Sequence, residues 1–203
     1  MAPNPDWRLE NNHYAAIGGW HDAAVMEWTV SQQDQTRSKR LETLRGAMAA
    51  AGFGGWIIGR EDMYQGEEVP AGDERLAYLS GFTGSAGFAV VLGDRAGLFS
   101  DGRYSLQMPA QTNSSAWDCN TIPDVTCEDW LKTAGLANGA IIAIDGRLVT
   151  VAGFRRFEKS VLAAGGTLVC HHENLLDQQW HDRPALPPAV SWQMPIENAG
   201  KSV

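Results

Sequence analysis

Apolar residues recur with a helical period from Thr36 onward. Leu41, Leu44, Met48 and Ala51 stand three or four residues apart, and Gly52 follows where a helix C-terminus favours glycine. The spacing predicts a helix over residues 37–51. Trp56-Ile57-Ile58, bounded by Gly54, Gly55 and Gly59, reads as a buried strand. Residues 60–73 are polar, carry Gly66, Pro70 and Gly72, and form a long loop before a short helical signal over 74–79. The apolar runs 88–92 and 96–99 flank Gly93-Asp94-Arg95 and predict an antiparallel hairpin.

Beyond the hairpin, a helix over 104–111 has to kink or restart around Pro109. Residues 117–122 suit an edge strand and 128–134 a short helix, while the unbroken apolar run 140–144 belongs near the centre of the sheet. Val151, Phe154, Phe157 and Val161 mark one face of a helix stopped by Gly165-Gly166, and a strand over 167–170 completes a strand–helix–strand crossover. The fold class is therefore α/β, a mixed β-sheet flanked by helices. Residues 36–182 form that domain. Residues 1–35, with Pro3, Pro5, Trp7, Trp20 and Trp28 but no sustained apolar period, form an N-terminal extension whose tryptophans anchor it on the domain or on a partner. Residues 183–203, with Pro184, Pro187, Pro188 and Pro195, read as a proline-rich linker toward a following domain.

Composition narrows the function classes. Apolar residues make up 44% and charged residues 20%, an ordinary globular mix. With 16 Lys+Arg against 24 Asp+Glu the net charge is −8, and no basic cluster interleaved with aromatics offsets phosphate repulsion, so nucleic acid is excluded as a partner. No apolar run approaches the roughly 18–20 residues of a membrane span, and the first thirty residues lack a signal-peptide pattern; a cytoplasmic location with no membrane partner is the default. Cys119, Cys127 and Cys170 lack C-x-x-C spacing, which argues against a disulfide framework and a structural zinc site.

Candidate chemistry fails in most places where it first suggests itself. Gly81, Gly84 and Gly87 follow a helix and enter a strand, the reverse of a dinucleotide fingerprint, and no Gly-Lys-Ser/Thr follows them as a P-loop needs. Ser85 lacks the glycine two residues earlier that a nucleophile elbow needs, because Thr83 stands there, and no histidine lies between His21 and His171. Cys170, His171 and His172 fall at a strand end, where adjacent side chains point to opposite faces and cannot easily share an ion. Glu67, Glu68, Asp73, Glu74 and Asp101 with Arg60, Arg75 and Arg103 concentrate charge around the hairpin, as a solvated face does. Asp101-Gly102-Arg103-Tyr104 differs in ending a strand, where a turn can aim a guanidinium out of the sheet toward a carboxylate or peptide carbonyl.

Several of these segments also carry a family resemblance. Gln65-Gly66-Glu67, Asp73-Glu74-Arg75-Leu76, Gly81-Phe82-Thr83-Gly84-Ser85-Ala86-Gly87, Asp101-Gly102-Arg103-Tyr104, Glu173-Asn174-Leu175, Trp180-His181-Asp182-Arg183-Pro184 and Ala199-Gly200-Lys201-Ser202 stand in an order that resembles the N-terminal domain of the Xaa-Pro aminopeptidases. This is the aminopeptidase P type within the creatinase/prolidase superfamily. The resemblance implies a creatinase N-terminal-like domain, the first of three, in a cytosolic peptidase that removes an N-terminal residue preceding proline. It also implies two divalent metal ions, commonly manganese, held in a C-terminal domain, so no metal ligand, cofactor or catalytic residue is expected in this chain, which should be inactive alone. Expected partners are the C-terminal domains, a second subunit and a peptide with proline in second position. The carried-over substrate-binding residue is Arg103, with Asp101 and Tyr104 as its supports. The alternative reading is a free-standing peptide-binding module of the same fold without catalysis.

Overall fold

Trp56-Ile57-Ile58 lies at the heart of β1 (Gly55–Gly59), around which five further strands assemble in a computed structural model of the chain. The structure describes residues 22–186, 188, 191 and 193–199, with backbone alone for 22–31 and 199. Trp7, Trp20 and most of the Ala199–Ser202 segment lie outside the described residues, as does the side chain of Trp28. The other elements are α1 (Asp22–Ala50), α2 (Arg75–Ser80), β2 (Phe88–Leu92), β3 (Ala96–Asp101), α3 (Gln107–Gln111), β4 (Asp118–Ile122), α4 (Cys127–Thr133), β5 (Ile141–Asp145), α5 (Val151–Ala163), β6 (Thr167–His171) and α6 (Ile196–Ala199).

The sheet runs β4-β3-β2-β1-β5-β6. β2 is antiparallel to both neighbours, whereas β3/β4, β1/β5 and β5/β6 are parallel. Since β2 alone is reversed, the carboxyl ends of all the other strands lie along one edge. The hairpin and the crossover form as the pattern predicts. β4 is an edge strand, and β5 sits between β1 and β6, one strand in from the other edge.

Period-two alternation along β1 divides the core. Trp56 and Ile58 pack with Leu41, Leu44 and Met48 of α1 and Leu76 and Leu79 of α2. Ile57 faces the opposite side with Phe99, Trp130, Leu131, Phe157 and Val161, under α4 and α5. Two helix boundaries differ from those the periodicity predicts. α1 begins at Asp22 rather than near 37, because a segment of Ala, Met, Glu and Gln without Gly or Pro supports a helix without an apolar stripe. Ala51 lies past its end and is exposed, and Gly52 takes the left-handed conformation at φ +76°. After Asp101 the chain makes one 3₁₀ turn, Gly102–Tyr104, and restarts as α3 at Gln107, which puts Pro109 in a first turn where its missing N–H leaves no bond unmade.

A charged clasp ties the end of the domain to its middle. Arg75, only 4% exposed at its side chain, donates to Asp177 from Nε (2.7 Å) and Nη2 (2.9 Å) and to Asp73 from Nη1 (2.9 Å). Arg183 joins the same two carboxylates, at 2.7 Å to Asp73 and 2.9 Å to Asp177. Beside it, Trp180 stacks on Tyr78 at 4.1 Å, and the Arg40 guanidinium covers that ring at 3.8 Å. Burial opposes the Arg75 charge, but its bonds to Asp177 and Asp73 prevail and raise its pKa. Asp177→Ala removes two of the three carboxylate contacts of this buried cation. Urea denaturation of the variant should show a loss of about 2–4 kcal/mol; a change below about 0.5 kcal/mol, the scale of ordinary surface substitutions, would mean that the clasp does not hold the fold.

Candidate functional site

Two strands of the carboxyl edge end in the same tripeptide. Asp-Gly-Arg occurs at Asp101-Gly102-Arg103, closing β3, and again at Asp145-Gly146-Arg147, closing β5. In the first, Asp101 accepts from the Arg103 backbone N–H (3.0 Å) and forks with its guanidinium, Nε to Oδ1 at 2.9 Å and Nη2 to Oδ2 at 2.8 Å. The second repeats this: Arg147 N to Asp145 Oδ1 at 3.0 Å, Nε to Oδ1 at 3.0 Å and Nη2 to Oδ2 at 2.8 Å. Both guanidiniums stay largely in solvent, with side-chain exposures of 67% and 54%.

The two aspartates differ in their surroundings. Asp101 is itself 41% exposed, and the fork with Arg103 lowers its pKa. Asp145 is buried and also accepts from Asn174 Nδ2 at 3.2 Å. Burial pushes its pKa up, but the Arg147 and Asn174 hydrogen bonds outweigh that and leave it below the ordinary carboxylate range.

Tyr104 anchors the first turn. Its phenolic oxygen lies 2.6 Å from Ser85 Oγ and accepts from Ser85 N–H at 3.1 Å, and its ring meets Phe82 edge-on at 5.5 Å. Arg103 Cζ sits 5.2 Å from the Tyr104 ring centre. The glycine-rich turn therefore serves this anchor. Gly81 caps α2 at φ +87°, where a Cβ would stand 2.5 Å from Arg37 Cζ, and at Gly87 a Cβ would stand 2.8 Å from the Phe99 carbonyl oxygen. Thr83 is tied to α3 through Gln111, its N–H donating to Oε1 at 2.9 Å while Gln111 Nε2 donates back to its hydroxyl at 2.9 Å. Ser85 is thus a polar tether, with no histidine among its partners.

Of the other charges of the cluster, Glu67 and Glu68 are exposed, and Arg60, Asp73, Glu74 and Arg75 are engaged within the fold. Arg60 donates to the Glu67 carbonyl and to Glu74, both at 3.1 Å, and Arg75 and Asp73 belong to the clasp. Of the three arginines singled out by sequence, only Arg103 keeps its guanidinium largely in solvent. His171 packs between Phe53 (5.1 Å) and Trp56 (5.9 Å), and among the described residues no group of three or more His, Cys, Asp or Glu converges as a metal ion requires. The expected metal pair therefore finds no fitting ligand set there.

A cleft of about 510 Å³ opens beside Asp101 at the same edge. Phe88, Phe99 and Phe157 form an aromatic floor, with Phe88 stacked on Phe99 at 4.7 Å and meeting Phe157 edge-on at 4.9 Å. Cys127 closes the bottom, and burial pushes its thiol up to about 12, so it stays protonated near neutral pH. A smaller cavity of about 60 Å³, lined by Asp145, adjoins it through Glu61, Arg156 and Phe157, which line both. Sequence reasoning missed Arg147, the Ser85–Tyr104 contact and this cleft; the repeated Asp-Gly-Arg was the one signal available for any of them.

A six-stranded mixed sheet layered by helices, with charged turns at its carboxyl edge, places the chain in the creatinase-type α/β class. The chain belongs to the creatinase/prolidase N-terminal domain family, whose model matches residues 40–179. Over 171 residues it is 38% identical to a protein of Arthroderma otae named probable Xaa-Pro aminopeptidase P, covering 81% of this chain and 27% of that one. A Coccidioides posadasii protein of the same name is 36% identical over 182 residues, covering 86% and 27% respectively. Among solved structures, an X-prolyl aminopeptidase from Caenorhabditis elegans, described as a cytosolic enzyme with a di-nuclear active site, superposes with a TM-score of 0.70 at 31% identity, covering 82% of this chain and 29% of that one. The N-terminal domain of the cytoplasmic peptidase PepQ from Mycobacterium tuberculosis gives a TM-score of 0.53 at 25% identity, with coverages of 69% and 97%. The chain spans little more than a quarter of the length of these curated relatives. No helix among its described residues is long and apolar enough to cross a membrane.

The Ser85 contacts lower the Tyr104 pKa, whereas burial raises that of Tyr78. In an alkaline titration followed by tyrosinate absorbance, Tyr104 should therefore ionise before Tyr78. Tyr104→Phe should remove that earlier step and Ser85→Ala should move it to higher pH. An earlier step that ignores Ser85→Ala would show that the tether does not form in solution.

Proposed function

We propose that this chain is the N-terminal domain of a metal-dependent Xaa-Pro aminopeptidase of the cytosol. In this reading it carries no catalytic or metal-binding residue, shapes one wall of the substrate cleft, contributes to subunit contacts, and presents Arg103 to the peptide. The organisation into an extension over 1–35, a domain over 36–182 and a linker over 183–203 belongs to the same proposal. The observation that carries it is the forked, solvent-facing Arg103 at the end of β3, in a chain whose relatives bear the Xaa-Pro aminopeptidase name. With Nε and one Nη2 proton engaged by Asp101, the remaining Nη protons are free to donate to a peptide carbonyl or carboxylate. Asp101 fixes the guanidinium, and Tyr104, tethered by Ser85, fixes the turn. The metal centre, two ions with manganese as the candidate, is assigned to sequence outside this domain. It would supply the activated water there.

The test uses the enzyme that joins this domain to its catalytic part, alongside the 203-residue chain alone. With manganese and a short Xaa-Pro peptide, the chain alone should show no turnover. In the complete enzyme Arg103→Ala should lower kcat/KM about 10- to 100-fold, the range for losing a hydrogen bond to a charged group, with the melting temperature nearly unchanged. Unchanged kinetics would refute the role of Arg103, and turnover by the isolated chain would refute the division of labour.

A further inference from the structure

The second Asp-Gly-Arg turn is built like the first and has no assigned role. Arg147 repeats each of the three Arg103 hydrogen bonds to within 0.1 Å, and the guanidinium is again exposed. Its aspartate is the better supported of the two, since Asp145 is buried and also held by Asn174. β3 and β5 are separated by β2 and β1, three spacings of roughly 4.8 Å, and the registers set Asp145 three residues short of Asp101 and on the opposite face, so the two aspartates stand about 17 Å apart and a ligand reaching both crosses the end of β1. That distance matches about five residues of extended peptide. The cleft of about 510 Å³ and the adjoining cavity lie on the way, one lined by Asp101 and the other by Asp145.

Once ion-paired groups are set aside, the cleft lining keeps a small positive excess, although the chain as a whole carries −8. Arg156 and Lys159 of α5 line the cleft in exposed positions, and neither has an ion-pair partner among the described residues. Of the acidic residues at the cleft, Asp101 is forked to Arg103 and Glu128 is paired with Lys132 at 2.6 Å, which leaves Glu61 opposed to the two α5 cations. α5 starts at Val151, close in sequence to Arg147, and its positive end adds to the potential there.

We propose that Arg147 is a second carboxylate-binding guanidinium of this edge. It takes an anionic group of a peptide, either its C-terminal carboxylate or an acidic side chain, about five residues from the group held by Arg103, with an apolar side chain of the peptide resting on Phe88, which Phe99 and Phe157 support from beneath. The inference rests on the aminopeptidase reading for the role of Arg103, but its readout is binding alone and involves no turnover.

The experiment titrates the full 203-residue chain with Ala-Pro-Ala-Ala-Phe as the free acid, with its C-terminal amide, and with an amide whose fifth residue is glutamate, following the arginine Nε–H signals by NMR. The free acid should shift the Arg147 signal and bind about three- to tenfold tighter than the plain amide, the range for a partly exposed charge-assisted contact. Recovery of tight binding by the glutamate amide would extend the site to acidic side chains; no recovery would confine it to the C-terminus. Because Arg147→Leu alone leaves Asp145 buried without its cation, the test variant is Asp145→Asn combined with Arg147→Leu, which keeps an acceptor for Asn174. It should abolish the preference for the acid and leave the affinity for the plain amide unchanged. Equal binding of acid and amide, no binding of any peptide, or a preference that survives in the variant would overturn the proposal. Loss of the Arg103 effect on turnover with the carboxylate preference intact would remove the aminopeptidase reading alone.

Discussion

Burial of β1 on both faces and along both edges governs the rest of the molecule. Trp56, Ile57 and Ile58 are each 3% exposed or less, so both faces of the strand need a helical layer and both edges need a neighbour. The tight hairpin supplies the antiparallel neighbour, β2, and a crossover through α4 supplies the parallel one, β5. One reversal followed by another returns β3 to the direction of β1. Asp101 and Asp145 therefore come to the same edge, although 44 positions separate them in the chain.

Charge follows the same geometry. On the α1/α2 side, Arg75 and Arg183 share Asp73 and Asp177 in a partly buried network, and removing any one member leaves an uncompensated charge in a poorly solvated place. Such groups hold the chain together and have little capacity left for a ligand. At the carboxyl edge the arrangement is reversed. The aspartates lock the arginines by bonds within the same turn, so holding the guanidinium in place does not require burying it. The clustering of acidic and basic residues that sequence reading treats as one region thus separates into an internal clasp and an external rim.

The sequence made the elements legible where period and punctuation agreed: the α1 face through Leu41, Leu44 and Met48, the β1 run between glycines, the hairpin at Gly93-Asp94-Arg95 and the crossover through α5. It failed where no period exists. The start of α1 at Asp22 depends on intrinsic propensity, which a search for apolar stripes does not register. Arg103 could be singled out because it ends a strand in a familiar motif. Arg147 has the same local sequence, but its value as a site depends on strand order, which a linear reading cannot give. The Ser85–Tyr104 and Arg75–Asp177 contacts join positions 19 and 102 residues apart, and nothing in either local pattern announces the other.

An aspartate two residues before an arginine also has a cost that shapes what the rim can bind. The fork removes rotamer freedom that a ligand would otherwise have to freeze, which favours binding. It also pairs the cation in advance, so an incoming anion meets a guanidinium whose charge is largely compensated. What stays unpaired is a set of Nη protons with fixed directions. Attraction at long range is weakened more than hydrogen bonding at contact, and the turn responds to the position of a carboxylate or carbonyl oxygen more than to charge alone. Two such turns at a fixed separation across the sheet form a ruler: a flexible anion gains from one of them, and only an extended chain of the right length gains from both.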